Sequence, residues 1–195
     1  MSEGESVEAL RRRLLLYRRI IERYREVIEQ GEAKSAAELR GLVNPSDESV
    51  RAVRDRIAAH FHPYIFERDF GEAANRAFEF VRDEIAAEKP PIAFWLTPKD
   101  VLELRVADEM DKAVFLCSLL IALENDSARV VVASDHETRS FVAFEWRGLY
   151  HIFDPARDLR LAGEKAAVLE QHRRAAGWST LAYEFNDRVY EEHGE

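Results

Sequence analysis

Two groups of carboxylic acids stand at positions where they could do chemistry. Asp108, Glu109 and Asp111 open a long apolar stretch, and Asp154 ends a hydrophobic run further along the chain. Paired carboxylates can serve as general acid and base, and carboxylate oxygens bind hard metal ions. One hypothesis is therefore a hydrolase with an acidic cleft built on Glu109 and Asp154, acting with or without a metal. Helical geometry spreads residues 108, 109 and 111 around the axis, so they cannot converge on one ion.

Cysteine and histidine residues add no convincing site. Cys117 lies eight residues beyond Glu109, about 12 Å further along a helix and on an apolar stripe, so we interpret it as buried. His60 and His62 resemble a metal pair, but at a helix end they would point in different directions without a third ligand nearby. One cysteine also excludes an internal disulfide framework and a thiolate zinc cluster. We predict no metal and no cofactor.

The element that must position Glu109 is the stretch from Asp108 to Leu123. Acidic residues suit a helix start, where the backbone dipole favours negative charge. From Ala113 onward apolar residues occupy nearly every face, which is typical of a buried helix. The helix would be about 24 Å long, with its first turn facing a cleft. Three predicted strands follow, at residues 129–133, 140–146 and 149–154.

This order of elements resembles the transglutaminase-like core, a branch of the papain-like cysteine enzymes. In that family a Trp-x-x-Pro lead-in precedes Gly-Asp-Cys-x-Asp-Lys-Ala at the start of a buried helix. A first strand, a strand that opens with His and a strand that ends in Asp-Pro then follow. The matching stretches here begin at Trp95, Ala107, Ser140 and Leu149, and the resemblance covers about residues 94 to 156.

Carried over residue by residue, the family's catalytic triad is degenerate in this chain. Glu109 stands in place of the nucleophilic cysteine, Ser140 in place of the histidine, and only the orienting aspartate remains, as Asp154. A carboxylate at a helix N-terminus is stabilised as an anion by about 0.3–1 kcal/mol, which makes it a weaker base. A hydroxyl cannot shuttle protons as an imidazole does near neutral pH. The resemblance therefore implies a catalytically inactive domain, a pseudoenzyme that acts in peptide or protein binding or in assembly.

The relation of Ser140 to Asp154 depends on the turn between their strands. A two-residue turn, Arg147-Gly148, would leave the two side chains on opposite faces of the sheet. A three-residue loop that includes Leu149 would make them diagonal neighbours on one face, and we predict this longer turn. Four further side chains are expected beside the triad positions in the cleft: Trp95, Asp108, Asp111 and His136.

The first thirty residues carry the most regular pattern in the chain. It predicts a helix from about Ser6 to Gln30, roughly 37 Å long. The helix could pack on its own domain, or it could pair with a second copy in a homo-oligomer through the helix around Val7–Ile28. Apolar residues recur there at alternating spacings of three and four, at Val7, Leu10, Leu14, Tyr17, Ile21, Tyr24 and Ile28.

Charge and composition narrow the range of partners. The chain has 195 residues, a formal net charge of −9 and 47% hydrophobic residues. A negative protein is an unlikely ligand for nucleic acid or for an acidic membrane surface, so we predict neither partner. No secretory signal pattern opens the sequence, and we expect a cytoplasmic protein. The scarcity of Asn and Gln is a weak indication of a heat-adapted source.

The expected architecture is α+β, with N-terminal helices followed by a buried helix on an antiparallel sheet of about four strands. We predict residues 1–90 as a helical region packed on the core and residues 91–195 as the transglutaminase-like core. Further helices are predicted over about 47–60, 71–87 and 163–176, and one or two strands between residues 178 and 190.

Overall fold

The computed structural model describes residues 7–31, 34–90, 92, 94–135 and 137–193. His136, which the sequence places in the cleft, lies outside the described residues. The chain forms two compact units. One contains residues 7–31 with those described between 90 and 95, and the other contains residues 34–89 and 96–193. The division at residue 90 stays a prediction.

The first unit holds α1, and the second holds every other regular element. No helix of the described chain is both long and apolar enough to span a bilayer. The elements are α1 (Val7–Gly31), α2 (Ala36–Leu42), α3 (Glu48–Ala58), α4 (Phe66–Glu84), β1 (Ala86–Ala87), α5 (Pro98–Leu104), β2 (Val106–Ala107), α6 (Glu109–Ala122), β3 (Arg129–Ser134), β4 (Thr138–Trp146), β5 (Leu149–Asp154), β6 (Leu159–Gly163), α7 (Lys165–Ala176), β7 (Thr180–Phe185) and β8 (Tyr190–Glu192).

The main sheet has six strands in the order β6-β5-β4-β3-β7-β8, and every neighbouring pair is antiparallel. The predicted fold class is confirmed, but the sheet is larger than the four strands expected. The strand that the sequence does not indicate is β6, whose five residues end in a glycine and include no β-branched or aromatic side chain. A small parallel pair, β1 with β2, lies outside this sheet.

The helix α6 is the buried centre of the second unit. Asp108 caps it by accepting a hydrogen bond from the Asp111 backbone N–H at 2.8 Å. From Ala113 to Leu120 no side chain is more than 6% exposed. The helix packs against β3 and β4 and against α3 and α4. Each large apolar side chain buried in this way stabilises the fold by about 1.5–3 kcal/mol.

The helices cover the two faces of the sheet separately. On one face Phe78 of α4 packs on Phe153 with ring centroids 5.2 Å apart. On the other face the ring of His172, on α7, lies 4.1 Å from the ring of Phe141. Because neighbouring residues of a strand point to opposite faces, β4 and β5 supply side chains to both layers.

The hairpin between β4 and β5 has a two-residue turn, so the predicted three-residue loop is wrong. Trp146 pairs with Leu149, and Arg147 and Gly148 both have positive φ, 50° and 74°. Such turns match the twist of a hairpin. The guanidinium of Arg147 donates to the Glu67 carbonyl oxygen at 2.7 Å and lies 4.3 Å from the Trp146 ring centroid. These contacts hold a non-glycine residue in a conformation that arginine rarely adopts alone.

Two predicted helix boundaries also need correction. The helix expected over residues 71–87 is α4, which begins at Phe66 and ends at Glu84. Asp69 explains the earlier start, because its carboxylate accepts a hydrogen bond from the Ile65 backbone N–H at 2.8 Å. After Glu84 the chain is extended, since Ala86 and Ala87 pair with β2.

Candidate functional site

Glu109, the first residue of α6, lies at the centre of the candidate site. Its carboxylate accepts hydrogen bonds from Nη1 and Nη2 of Arg157 at 2.8 and 2.9 Å, a two-pronged ion pair. It also accepts the Ser140 backbone N–H at 2.6 Å. The side chains of Glu109 and Arg157 are 23% and 22% exposed. Charge-assisted bonds of this geometry are among the stronger ones in proteins.

Arg157 reaches Glu109 from the turn that follows β5. The Asp154 carboxylate holds this turn by accepting the backbone N–H groups of Ala156 and Arg157 at 3.1 and 3.2 Å. Nη1 of Arg157 also donates to Asp154 Oδ2 at 2.9 Å. Burial disfavours the charge of Arg157, but the bonds to Glu109 and Asp154 outweigh it and raise its pKa. One guanidinium therefore joins two of the three triad positions.

On its other side Asp154 bonds to an imidazole that the sequence did not place in the site. His172 Nε2 lies 3.1 Å from Asp154 Oδ2, and His172 Nδ1 accepts the indole N–H of Trp178 at 2.9 Å. An indole can only donate, so Nδ1 carries no proton and Nε2–H donates to the carboxylate. Burial would raise the pKa of Asp154, but the bonds from His172 and Arg157 lower it.

The two-residue turn separates Ser140 from Asp154. Val142 pairs with Phe153, so the alternation of side chains puts Ser140 on the Phe153 face and Asp154 on the opposite face. The bond between Asp154 and His172 of α7 agrees with this assignment. The site thus brings Glu109 and Asp154 together through Arg157, and Ser140 contributes its backbone N–H to Glu109.

The carboxyl of Asp111 is held in a different environment. It is 4% exposed, and Oδ1 accepts the Leu96 backbone N–H at 3.3 Å. Oδ2 has no hydrogen-bond partner in the described part of the chain. Burial, and next the charge of Asp108, raise the pKa of Asp111 to about 8. Burial also raises the pKa of Asp108. Asp111 is therefore mostly protonated at neutral pH.

A cleft of ≈ 620 Å³ opens at Glu109, Ser140 and Arg157, and neither Asp111 nor Asp154 is among its lining residues. Both acidic and basic side chains line it. Within the described residues no group of three His, Cys, Asp or Glu side chains is placed to hold a metal ion. The cleft is lined by Ala87, Glu88, Lys89, Asp108, Glu109, Met110, Glu137, Thr138, Arg139, Ser140, Ala156 and Arg157.

One other residue named from the sequence, Cys117, does not line this cleft. Cys117 is completely buried, which confirms its interpretation as a core residue, and burial raises the pKa of its thiol. Trp95 belongs to the unit that contains α1.

Sequence reasoning missed Arg157 and His172. In the sequence His172 stands next to Arg173 and Arg174, where it is typical of a basic helix end. Its spacing of four from both Val168 and Ala176 was a usable signal, since these three residues form the buried stripe of α7. Arg157 gave no such signal, because its partner Glu109 is 48 residues away in the chain.

No family model and no curated protein matches this chain. Among solved structures, Legionella pneumophila LapG superposes with a TM-score of 0.54 at 15% identity, covering 82% of this chain and 86% of that one. An EGTA-treated form of LapG gives a TM-score of 0.53 at 14% identity over the same shares. Structural similarity at such low sequence identity indicates a shared fold, but it does not indicate a shared activity. The chain therefore shares its fold with LapG.

Proposed function

We propose that this chain is a catalytically inactive transglutaminase-like domain whose cleft binds a peptide or protein segment. The observation that carries the proposal is the two-pronged ion pair between Glu109 and Arg157 at the helix N-terminus. In the family that the sequence resembles, a cysteine thiolate occupies this position. A thiolate attacks carbonyl carbon readily, whereas a carboxylate bound by a guanidinium is a poor nucleophile toward amides.

No other described group supplies the missing chemistry at the cleft. His172 is completely buried, and both of its ring nitrogens are bonded, to Asp154 and to Trp178. A general base must reach the proton that it removes, and this imidazole lies buried between α7 and the sheet instead. Cys117 is also completely buried. Neither the thiol of Cys117 nor the imidazole of His172 can therefore act at the cleft.

Two observations support the proposal that the cleft binds a polypeptide. Its volume of ≈ 620 Å³ lies in the usual range of ligand sites, about 300–1,000 Å³. Its rim carries Lys89 and Arg139 together with Glu88 and Glu137, which suits a polypeptide of mixed charge.

The rival hypothesis, an acidic hydrolase that uses Glu109 and Asp154, gains no support from this arrangement. Arg157 occupies oxygens of both carboxylates, which a metal ion or an attacking water would need. The Asp154 side chain is also completely buried. The proposal therefore assigns these residues a structural role, with Glu109 and Arg157 in the wall of the cleft and Asp154 buried behind them.

The proposal includes a cytoplasmic location and assembly through α1. A lone buried cysteine is compatible with a reducing compartment.

Several apolar side chains of α1 are exposed, among them Leu14 at 66% and Tyr17 at 52%, which supports pairing with a second copy. Sedimentation of the intact chain tests this pairing.

The cleft is tested by peptide binding to the full chain. An array of random immobilised peptides identifies ligands, and each is titrated against the parent and against Thr138→Trp, an exposed cleft residue. We expect the Thr138→Trp variant to lose most binding, because the indole fills the cleft. Thr180→Trp, at an exposed residue of β7 outside the cleft, should bind as the parent does. Equal binding by both variants, or peptide hydrolysis that Glu109→Gln abolishes, would contradict the proposal.

A further inference from the structure

Most of the large apolar side chains that are exposed in the described part of the chain lie on one helix, α1. Proteins that stay monomeric rarely expose so much apolar surface in one place, and such a surface usually marks a site of interaction. Nine of the thirteen exposed large apolar side chains belong to this helix: Val7, Leu10, Leu14, Leu15, Leu16, Tyr17, Ile20, Tyr24 and Val27.

The exposed face of α1 differs from the face that the heptad pattern of the sequence indicates. Ile21 and Ile28 belong to that pattern, but both are half-buried. The open surface is therefore rotated about the helix axis toward Ile20 and Val27, which are exposed. At about 100° per residue, five exposed side chains lie within roughly 100° of arc. We call these five residues the apolar stripe: Leu10, Tyr17, Ile20, Tyr24 and Val27.

A different side of α1 carries ion pairs within the helix. Arg18 Nε lies 2.8 Å from Glu22 Oε1, and Arg25 Nε lies 3.7 Å from Glu29 Oε1. The spacing of four residues places these pairs together on one side, outside the apolar stripe. Helices that bind anionic membrane surfaces have a polar face rich in lysine and arginine. Here carboxylates of the same helix partner two of the arginines, which makes a lipid surface a poorer fit than a second protein.

The two halves of α1 carry opposite formal charge. Residues 7–19 contain five arginines and one glutamate, whereas residues 20–31 contain two arginines and three glutamates. A parallel pair of these helices would place the two cationic halves side by side. An antiparallel pair places each cationic half beside the acidic half of the other helix, and it also opposes the two helix dipoles. Charge therefore favours the antiparallel direction.

We infer that the apolar stripe of α1 pairs antiparallel with the same stripe of a second copy of this chain. The inference rests on the proposed assembly through α1 and adds its face and its direction. A two-fold axis midway along the stripe places Leu10 opposite Val27 of the partner subunit, and Tyr17 opposite Ile20 of the partner subunit. Burial of these apolar side chains in both copies supplies the driving force.

Disulfide cross-linking of the full chain tests the direction. Leu10→Cys and Val27→Cys are made as separate variants, and the native Cys117 is completely buried, so it should add no background. Each variant alone should give little cross-linked dimer, because identical ends of the stripe lie about 26 Å apart in an antiparallel pair. A mixture that has exchanged subunits should give at least about tenfold more. Cross-linking of either variant alone as efficiently as the mixture would overturn the inference.

A matched pair of variants tests the face. Ile20 lies in the apolar stripe, and Leu15 lies about 140° around the helix from it. Both are exposed, at 46% and 62%, so a glutamate at either position disturbs no buried packing. Ile20→Glu buries a carboxylate from each copy, and we expect the dimer dissociation constant from sedimentation to rise at least about a hundredfold. Leu15→Glu should leave it nearly unchanged, and equal effects of the two variants would overturn the choice of face.

The state of the parent chain separates this inference from the wider proposal. A parent chain that sediments as a monomer at every concentration would contradict both the assembly through α1 and its antiparallel form. Flotation of such a monomer with phosphatidylglycerol vesicles would assign the apolar stripe to a membrane surface instead. A dimer that cross-links through identical positions would contradict the antiparallel inference alone. Peptide binding at the cleft depends on none of these results.

Discussion

The two sides of Asp154 show how one carboxylate serves two different environments. Toward the cleft it shares the charge of Arg157 with Glu109, in an ion pair that remains partly exposed. Toward α7 it accepts from a neutral imidazole that is completely buried and bonded again to Trp178. Catalysis in the papain-like arrangement needs the imidazole on the open side. Here the open side has a guanidinium, and the imidazole contributes to the core instead.

The buried side should be the more costly one to disrupt. We expect His172→Ala to lower the free energy of unfolding by about 3–5 kcal/mol, because it leaves a cavity and an unpaired indole N–H and removes one of the two hydrogen bonds to Asp154 Oδ2. Urea denaturation measures the loss. Gln171→Ala, at an exposed neighbour on α7, should be nearly neutral. A loss no larger than that of the control would contradict the structural role of the imidazole.

Asp111 can be compared with Asp154, since it is also a buried carboxyl group but accepts no hydrogen bond from a described cationic side chain. Its pKa is about 8 in the folded chain, above its ordinary value of 3.8. The folded state therefore holds a proton that the unfolded state has released, and stability falls as the pH rises from about 4 to about 8. We expect Asp111→Asn to become more stable relative to the parent by about 3–4 kcal/mol between pH 5 and pH 8. Unfolding measured across this range tests it, and a difference that does not change with pH would contradict it.

The exposed side should show a smaller coupling. In a double-mutant cycle of Glu109→Gln and Arg157→Gln we expect an interaction energy of about 1–2 kcal/mol, because the pair is bidentate but partly open to solvent. Denaturation of the four proteins gives this value at one pH. Coupling close to zero would mean that the ion pair contributes no net stability.

The smallest expected effect is on catalysis. Glu109→Cys combined with Ser140→His should produce no measurable hydrolysis of a peptide or ester, because residue 140 lies on the sheet face opposite Asp154. Labelling with a thiol reagent supplies the control. The Glu109→Cys thiol should react quickly beside Arg157 at a helix N-terminus, and buried Cys117 of the parent should not. Turnover in the double variant would show that the two positions can still cooperate.

Local pattern was enough to predict the scaffold. The run from Ala113 to Leu123 is apolar on every face, and such a helix must lie in a core. The strands β3, β4 and β5 are rich in β-branched and aromatic residues between turn signals, and they form where predicted. The short strand β6 has no such composition, so tertiary pairing with β5 defines it.

The site was less predictable, because its contacts join distant parts of the chain. The turn at Arg147-Gly148 depends on the Glu67 carbonyl, 80 residues earlier, and glycine alone could have served either loop length. Arg157 and Glu109 are 48 residues apart in the chain, and the packing of the sheet on α6 brings them together. His172 could have been found from its spacing along α7, but its partner Asp154 could not.

The length of the β4–β5 turn limits which catalytic sites point mutations can create in this chain. Side chains alternate along a strand, so one inserted residue would rotate the whole of β5 relative to β4. That insertion could bring position 154 beside position 140, but it would also turn Ile152 out of its hydrophobic layer. Two or three substitutions in the cleft would thus not be sufficient to form an acyl-transfer triad. Both sides of the sheet would have to repack at once.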